Sequence, residues 1–570
     1  MSKTILNSLT PRPTANRSLP QRAGDFSSVV EALDYAAQGQ TGLSFFSATG
    51  QLIQSLGYKD LRAEAIAMSG KLHALGLASG DTVAIVGETC PDFLAIFYGC
   101  QYAGLLPCPL PHSIFLGGRN AFVERIAALV SAATAKLLCI PDSLADLAEN
   151  WRSAGIQVVS FSELRNLAYE EYLDPLGPDA LAYIQFSSGS TADPKGVIIS
   201  QRAVCNNVRG ILVDCIGIGT NDRAFSWLPF YHDMGLVGFS IAPLFAQTSV
   251  DYISPNTFAR HPVLWLRLMS ENRSTITFSP VFGYRLAALR LKARDQITDL
   301  SSLRIAGIGG DMIDVDQLEL FAETLREARF NPDAFTPCYG MAESTLLITF
   351  KRGLAVTSCD RSTLQQDRRA IPPSGGAISN FAVCGKPLPR HELAVTDTEG
   401  RPLPEGGIGH IRIRGPSMFS GYRNGSDSVM VSPTDFFDTG DMGFRQNGNL
   451  VVTGRHKEMM IINGRNIWPQ DIERIVMSLP ECALSSVAAI AAPQTRADEA
   501  IVILVERANG DAEAESSLIS KIQSAVSSGM GVAARVELVT PRSLPYTSSG
   551  KLMRSRISHD YAGLQTQSDA

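Results

Sequence analysis

Short apolar runs recur along the first two-thirds of the chain, separated by stretches in which apolar residues return every three or four positions. Thr82–Val86, Leu137–Ile140, Leu181–Phe186, Val197–Ser200, Thr275–Phe278 and Leu303–Gly307 read as buried strands, and Asp60–Leu75 and Ala121–Ala133 as helices. Such alternation builds βαβ units. From about Asn380 the pattern changes to short strands punctuated by Gly and Pro, which predicts a β-rich subdomain. A third pattern begins after Gly454-Arg455, with Met459–Ile462 as a strand, Trp468–Glu473 opening a helix, and Ser486–Ile490 and Ala500–Val505 as strands. The expected fold is therefore α/β. A large N-terminal domain covers 26–456, with its β-rich part at about 380–456, and a small C-terminal α/β domain covers 457–570.

From Phe93 to Pro111 there is no charged residue, yet Gly99, Gln101, Gly104, Pro107 and Pro109 interrupt the run. It reads as a buried helix followed by an extended segment rather than a membrane span. A chain of 570 residues exceeds one hydrophobic core, in line with more than one domain. The net charge of −6 is spread along the chain, and Lys and Arg do not cluster, which argues against a nucleic-acid partner. The ten cysteines lie far apart with no CxxC pair, so they read as small buried hydrophobes in a reducing, cytoplasmic setting. Residues 1–25 are rich in Ser, Pro and Arg without an apolar segment, and are expected to form a disordered extension rather than a secretory signal.

The run Phe186-Ser187-Ser188-Gly189-Ser190-Thr191-Ala192-Asp193-Pro194-Lys195-Gly196 carries the strongest chemical signal. Small residues let backbone N–H groups approach phosphate oxygens, the hydroxyls of Ser187, Ser188, Ser190 and Thr191 add donors, and Lys195 adds charge. No Gly-Lys-Ser/Thr closes it, so it is not a Walker A loop. Further motifs follow in order: Leu228–Leu236 with Tyr231-His232-Asp233 at its centre, Tyr339-Gly340-Met341-Ala342-Glu343-Ser344, Asp438-Thr439-Gly440-Asp441, Gly454-Arg455-His456-Lys457-Glu458, and Pro545-Tyr546-Thr547-Ser548-Ser549-Gly550-Lys551.

This ordered set resembles the superfamily of adenylate-forming enzymes, which includes acyl-CoA synthetases, peptide-synthetase adenylation domains and luciferases. Trp227–Leu236, Pro337–Glu343 and Gly464–Glu473 look most like fatty acyl-AMP ligases, which make an acyl-adenylate from a fatty acid and ATP and pass the acyl group to a carrier protein. The resemblance implies ATP and Mg²⁺, a fatty acid, and an acyl carrier protein or the carrier domain of a polyketide or peptide synthase.

By the same resemblance Glu343 binds Mg²⁺ with Thr191, Asp441 accepts the ribose hydroxyls, and Arg455 contacts the ribose. Gly309, Gly310 and Asp311 shape the adenine wall, Tyr339 stacks on the base, and Gly340 and Met341 complete the nucleotide site with Gly189. Lys551 inserts between carboxylate and α-phosphate, His232 gates the acyl pocket, and Lys457 is the hinge about which a mobile C-terminal domain rotates. Met234, Phe278 and Phe282 flank the motifs and could line the acyl tunnel. The string Gly307-Ile308-Gly309-Gly310 lacks the further glycine of a dinucleotide fingerprint, having Met312 there. Two departures stand out: Ala192 replaces a usual glycine, and Glu458 replaces a common Asp.

Acyl-CoA synthetases share these catalytic residues. The stretch between Glu343 and Gly385, with Lys351-Arg352 and Cys359–Arg369, is longer than such enzymes need, and an insertion there in acyl-AMP ligases packs on the N-terminal domain and hampers use of coenzyme A. An amino-acid- or aryl-acid-activating enzyme is a second alternative, with Asp233 able to hold an ammonium group. A catalytically dead scaffold is a third, opposed by the joint retention of Glu343, Asp441, Arg455 and Lys551.

Overall fold

The computed structural model describes residues 19–112, 118–186, 195–292, 297, 299–425, 427–432, 434–462, 464–483, 485–491, 501–507, 511–547 and 551–568. The uncharged Phe93–Pro111 run resolves into a helix, Pro91–Tyr102, and a strand, Leu106–Leu110. After Asp92 in its first turn the helix lacks charge, because Phe93–Tyr102 is buried throughout. No described helix is long and apolar enough to cross a membrane. Pro107 and Pro109 are tolerated because their strand lies at the edge of a parallel sheet ordered 106–110, 82–86, 135–140, 158–160.

A second, antiparallel sheet runs 427–430, 421–424, 196–200, 181–186, and brings the strands on either side of the phosphate-loop sequence into one ladder. The largest sheet has 14 strands among the described residues. Its parallel part includes 223–226, 276–279, 305–308 and 335–340. At 335–340 the ladder turns antiparallel toward 347–350, then 378–387 and 449–455. The β-rich part expected from about 380 thus continues a shared sheet, and its antiparallel pairing begins with strands 335–340 and 347–350.

The chain beyond Lys457 has its own sheet, 487–491, 501–506 and 535–539, and its own core, with Ile467, Ile472, Ile503 and Ile522 at its centre. Trp468 departs from this pattern. Its ring is 1% exposed and packs into the N-terminal cluster of Cys359, Leu364, Phe381, Met442 and Phe444. Gly454 makes room for it: at φ +153° a Cβ there would stand 2.2 Å from Trp468 Cδ1.

Residues 19–25 correct the expectation of a disordered stretch for the part that is described. Gly24 N–H bonds to Phe245 O (3.0 Å) and Gln21 Nε2 to Ala246 O (3.2 Å), while Gln247 Oε1 accepts from Arg22 N–H (2.9 Å). These bonds satisfy backbone groups at the end of helix Ala242–Ala246. None of the ten cysteines forms a disulfide.

Candidate active site

Two cavities meet where the C-terminal domain closes over the large one. The bigger, about 600 Å³, is lined by the charged Lys195, Glu343 and Lys551 and by a set of apolar side chains that form its apolar arm. The smaller, about 140 Å³, lies beside it and is lined by Asp311, Ala382, Gln470 and Arg554. Tyr339, Asp441, Arg455 and Lys551 belong to both walls.

Asp441 sits where strand Phe437–Gln446 passes the Thr439-Gly440 turn. Thr439 Oγ1 accepts Asp441 N–H (3.2 Å) and donates to Ile411 O (2.9 Å), which fixes the turn. The Asp441 carboxylate accepts the Tyr339 hydroxyl at 2.7 Å and pairs with Arg455 Nε at 3.2 Å; Arg455 comes from the paired strand 449–455 and Tyr339 from strand 335–340 of the same sheet. Burial and the Asp441 charge push the Tyr339 phenol well above its ordinary range, so it stays a donor.

Glu343 lies on the short turn Ala342–Ser344 and is 8% exposed. Burial raises its carboxyl above the usual range, against the Tyr422 hydroxyl that donates to Oε1 at 2.7 Å. His232 caps the turn Asp233–Leu236, with Nδ1 2.8 Å from Asp233 Oδ1. Burial alone would raise the Asp233 carboxyl, but the His232 charge and hydrogen bond, Lys551, and the Met234 N–H (2.7 Å) together hold it low. Lys551 therefore reaches from the C-terminal domain into the field of the Tyr231-His232-Asp233 turn.

The other expected residues divide. Gly309, Gly310, Gly340, Met341, Met234, Phe278 and Lys457 line the larger cavity. Phe278 can do so because Gly307 has no side chain: a Cβ there would be 2.0 Å from the Phe278 ring. Asp311 lines only the smaller cavity. Phe282 lines neither and is a correction. It is 37% exposed and packs its ring against Trp227 at 5.7 Å. Ser187, Ser188, Gly189, Ser190 and Thr191 lie outside the described residues, although Phe186 and Lys195 on either side of them line the cavity.

Beyond Met234 and Phe278, the walls of the apolar arm were not foreseen from the sequence. Its walls come from two π-helical turns, Gly210–Ile216 and Val237–Ile241, which contribute Ile211, Cys215, Ile216 and Phe239, with Ala242 and Pro243 beyond. Each π turn carries an extra residue and re-aims the side chains that follow. The only prior signal is the absence of charge from Met234 to Phe245.

Several polar contacts hold the C-terminal domain in place. Arg285 donates to Ala483 O, Arg474 Nε faces Asp314 Oδ2 at 3.5 Å, and Arg361 Nη1 donates to Gly529 O at 2.6 Å. Gln365 accepts from Arg465 through Oε1 and from Asn466 Nδ2 through its carbonyl (2.7 Å). The segment with Cys359–Arg369 thus pairs with the large domain through strand Val356–Asp360 and reaches the small one through helix Arg361–Gln366. Arg554 joins Glu458 (2.9 Å) to Glu473 (2.6 Å), so the longer side chain at 458 is tied to the helix that follows Lys551.

The geometry finds counterparts among known proteins. Residues 34–423 match the AMP-binding enzyme family and residues 464–556 the AMP-binding enzyme C-terminal domain. A Caulobacter vibrioides protein provisionally named an acyl-CoA synthetase is 40% identical over 95% of this chain and 96% of its own. The medium-chain-fatty-acid–[acyl-carrier-protein] ligase JamA of Moorena producens is 29% identical over 93% of this chain and 94% of its own. A solved structure from studies of fatty acyl-adenylate ligases of E. coli and L. pneumophila superimposes with a TM-score of 0.91 at 38% identity, covering 95% of this chain and 100% of that one. The chain belongs to the AMP-binding enzyme family and is an AMP-forming ligase of the adenylate-forming superfamily.

Proposed function

We propose that the protein joins a fatty acid to AMP, releasing pyrophosphate, and then passes the acyl group to the phosphopantetheine thiol of an acyl carrier protein or carrier domain. One observation carries the substrate class: the larger cavity that Lys195, Glu343 and Lys551 line is also walled by the apolar Ile211, Ile216, Phe239 and Pro243. An alkyl chain fits such walls, and its carboxylate would then lie near Lys551 and Asp233. An amino acid suits the site less, because the Asp233 carboxylate is already engaged by His232 and the Met234 N–H.

In this reading the carboxylate oxygen attacks the α-phosphorus of ATP, the bond to pyrophosphate breaks, and Lys551 neutralises charge as two anions approach. Asp441 would accept the ribose hydroxyls, with Tyr339 and Arg455 fixing its oxygens. Asp311, Gly309 and Gly310 would border the base, and the loop at Ser187–Thr191 with Lys195 would hold the phosphates. Glu343 and Thr191 would hold Mg²⁺. Among the described residues no three His, Cys, Asp or Glu side chains converge, so the donor set suits an ion that arrives with the nucleotide and binds one carboxylate. Bound there, Mg²⁺ supplies positive charge to the phosphate oxygens.

The acceptor distinguishes this reading from an acyl-CoA synthetase. The bridge from Arg361 and Gln365 to Gly529, Arg465 and Asn466 favours the closed adenylating arrangement. With ATP, Mg²⁺ and a panel of fatty acids, the protein should accumulate acyl-AMP, trapped as hydroxamate, and acylate a phosphopantetheinylated carrier with little acyl-CoA. Cys359 and Leu364 are buried, so the bridge is better weakened by Arg361→Ala and Gln365→Ala than by deletion. The two substitutions remove the side-chain contacts to Gly529 and Arg465 and leave the Asn466 bond to the main-chain carbonyl of residue 365. The double variant should raise acyl-CoA output without raising adenylation. Efficient acyl-CoA synthesis by the parent would overturn the proposal in favour of an acyl-CoA synthetase.

A further inference from the structure

Glu343 and Lys195 reach the cavity from different sheets. Glu343 follows strand Phe335–Gly340 of the large sheet, whereas Lys195 immediately precedes strand Gly196–Ser200 of the four-stranded one. One side chain touches both. Tyr422, on the strand Gly421–Asn424 that pairs with 196–198, donates its hydroxyl to Glu343 Oε1 at 2.7 Å and lies 5.7 Å from Lys195 Nζ by its ring. The segment holding Tyr422 also grips the Glu343 backbone, since Phe419 N–H donates to Glu343 O at 2.8 Å. Phe419 in turn packs edge-on to Tyr422 at 4.8 Å and to Phe437 at 5.2 Å. Tyr422 itself lines the cavity.

We propose that Tyr422 is a positioning residue that sets the Glu343 carboxylate against the Lys195 ammonium, fixing the place of the metal-bearing phosphates. This rests on the adenylation reading above. A carboxylate with one oxygen committed to a hydroxyl keeps a single orientation and leaves its second oxygen for a cation. The ring face adds a weak hold on Lys195, whose ammonium is otherwise carried on a flexible stem. Tyr422→Phe removes the hydroxyl and keeps the ring, while Tyr422→Leu removes both, which separates the two contacts.

The test uses the full chain with a non-hydrolysable ATP analogue and Mn²⁺, whose binding is read by electron paramagnetic resonance. Tyr422→Phe should weaken Mn²⁺ binding roughly 10-fold, the low end for partners that orient a ligand. In pyrophosphate exchange its Mg²⁺ requirement should rise by a similar factor, with kcat at saturating Mg²⁺ within about twofold of the parent. Tyr422→Leu should in addition raise KM for ATP by about two- to fivefold, the scale of an exposed to partly buried cation–π contact. Glu343→Gln serves as the reference. If Glu343→Gln weakens Mn²⁺ binding and Tyr422→Phe does not, the positioning role is overturned while the adenylation reading stands. A kcat deficit in Tyr422→Phe that excess Mg²⁺ fails to rescue would also overturn it, because that marks a structural loss. If Glu343→Gln itself binds Mn²⁺ like the parent, the assignment of Glu343 falls first.

Discussion

Replacing Lys551 by alanine removes a charge from the proposed reaction centre while leaving its scaffold. The loop that carries it is closed by backbone bonds: Thr547 N–H to Lys551 O at 2.7 Å and Met553 N–H to Pro545 O at 2.9 Å, with Lys551 N–H bonded to Thr547 Oγ1 at 3.0 Å. None of these uses the lysine side chain, so the loop and the melting temperature should survive. The side chain lines both cavities, and its charge acts on Asp233. A unit charge about 4 Å from the developing oxyanion is worth on the order of 4 kcal/mol at an effective dielectric of about 20. Removing one preorganised donor elsewhere costs about 2.7–4 kcal/mol. Both figures predict a loss of roughly 10²- to 10³-fold in carboxylate-dependent ATP–pyrophosphate exchange. Transfer from chemically prepared acyl-AMP to carrier protein should fall far less, since no anion then approaches the α-phosphate. Exchange within a few fold of the parent, with unchanged melting, would refute the role.

Two further substitutions test the moving and the apolar parts. Lys457 lies in the short turn His456–Glu458, and Lys457→Pro fixes its φ near −65°; adenylation should persist while transfer to the carrier collapses, and parallel loss of both with lowered melting would remove the hinge role. Phe239→Trp thickens the wall of the arm next to Phe278, 6.1 Å away, so the longest acids should lose about tenfold or more in kcat/KM while KM for ATP holds; an unchanged chain-length profile would place the alkyl chain elsewhere.

What the sequence could and could not reveal follows from the kind of signal each residue carries. Thr82–Val86 and Leu181–Phe186 form strands with those same bounds, because a short, mostly apolar run buried on both faces needs no long-range information. Tyr339, Asp441 and Arg455 were legible only through the order of their motifs; nothing local says that a tyrosine and an aspartate 102 positions apart share a proton at 2.7 Å. Phe282 was misread for a reason the sequence did hold. Val281, Tyr284, Ala287 and Ala288 recur at helical spacing and are buried, which turns Phe282 to the opposite face of helix Val281–Arg290. The π turns that wall the arm break the 3.6-residue period, so periodicity could not assign their faces. Tyr422 was passed over because a lone tyrosine in a strand reads as packing.

The seam between the domains was the least legible part, and its composition explains how it can both hold and release. Arg285, Arg361 and Arg474 carry no local signal in the sequence, yet each crosses the seam to a carbonyl or a carboxylate. Contacts of that kind can be exchanged for water at small net cost. Trp468 differs. It follows Ile467, which belongs to the small domain's core, but its own ring is buried in the large domain's cluster. A rotation about Lys457 that carried the hairpin 460–467 with it would have to withdraw this ring. Exposing about 150–250 Å² of aromatic surface costs roughly 4–6 kcal/mol at about 25 cal/mol per Å². An equilibrium so biased leaves the rotated state at or below about one part in 10³ until a ligand favours it. In the proposed two-step reaction such a peg would make the transfer step depend on binding energy from the acceptor. A carrier protein, which presents a whole folded surface besides its thiol, has more such energy to offer than coenzyme A.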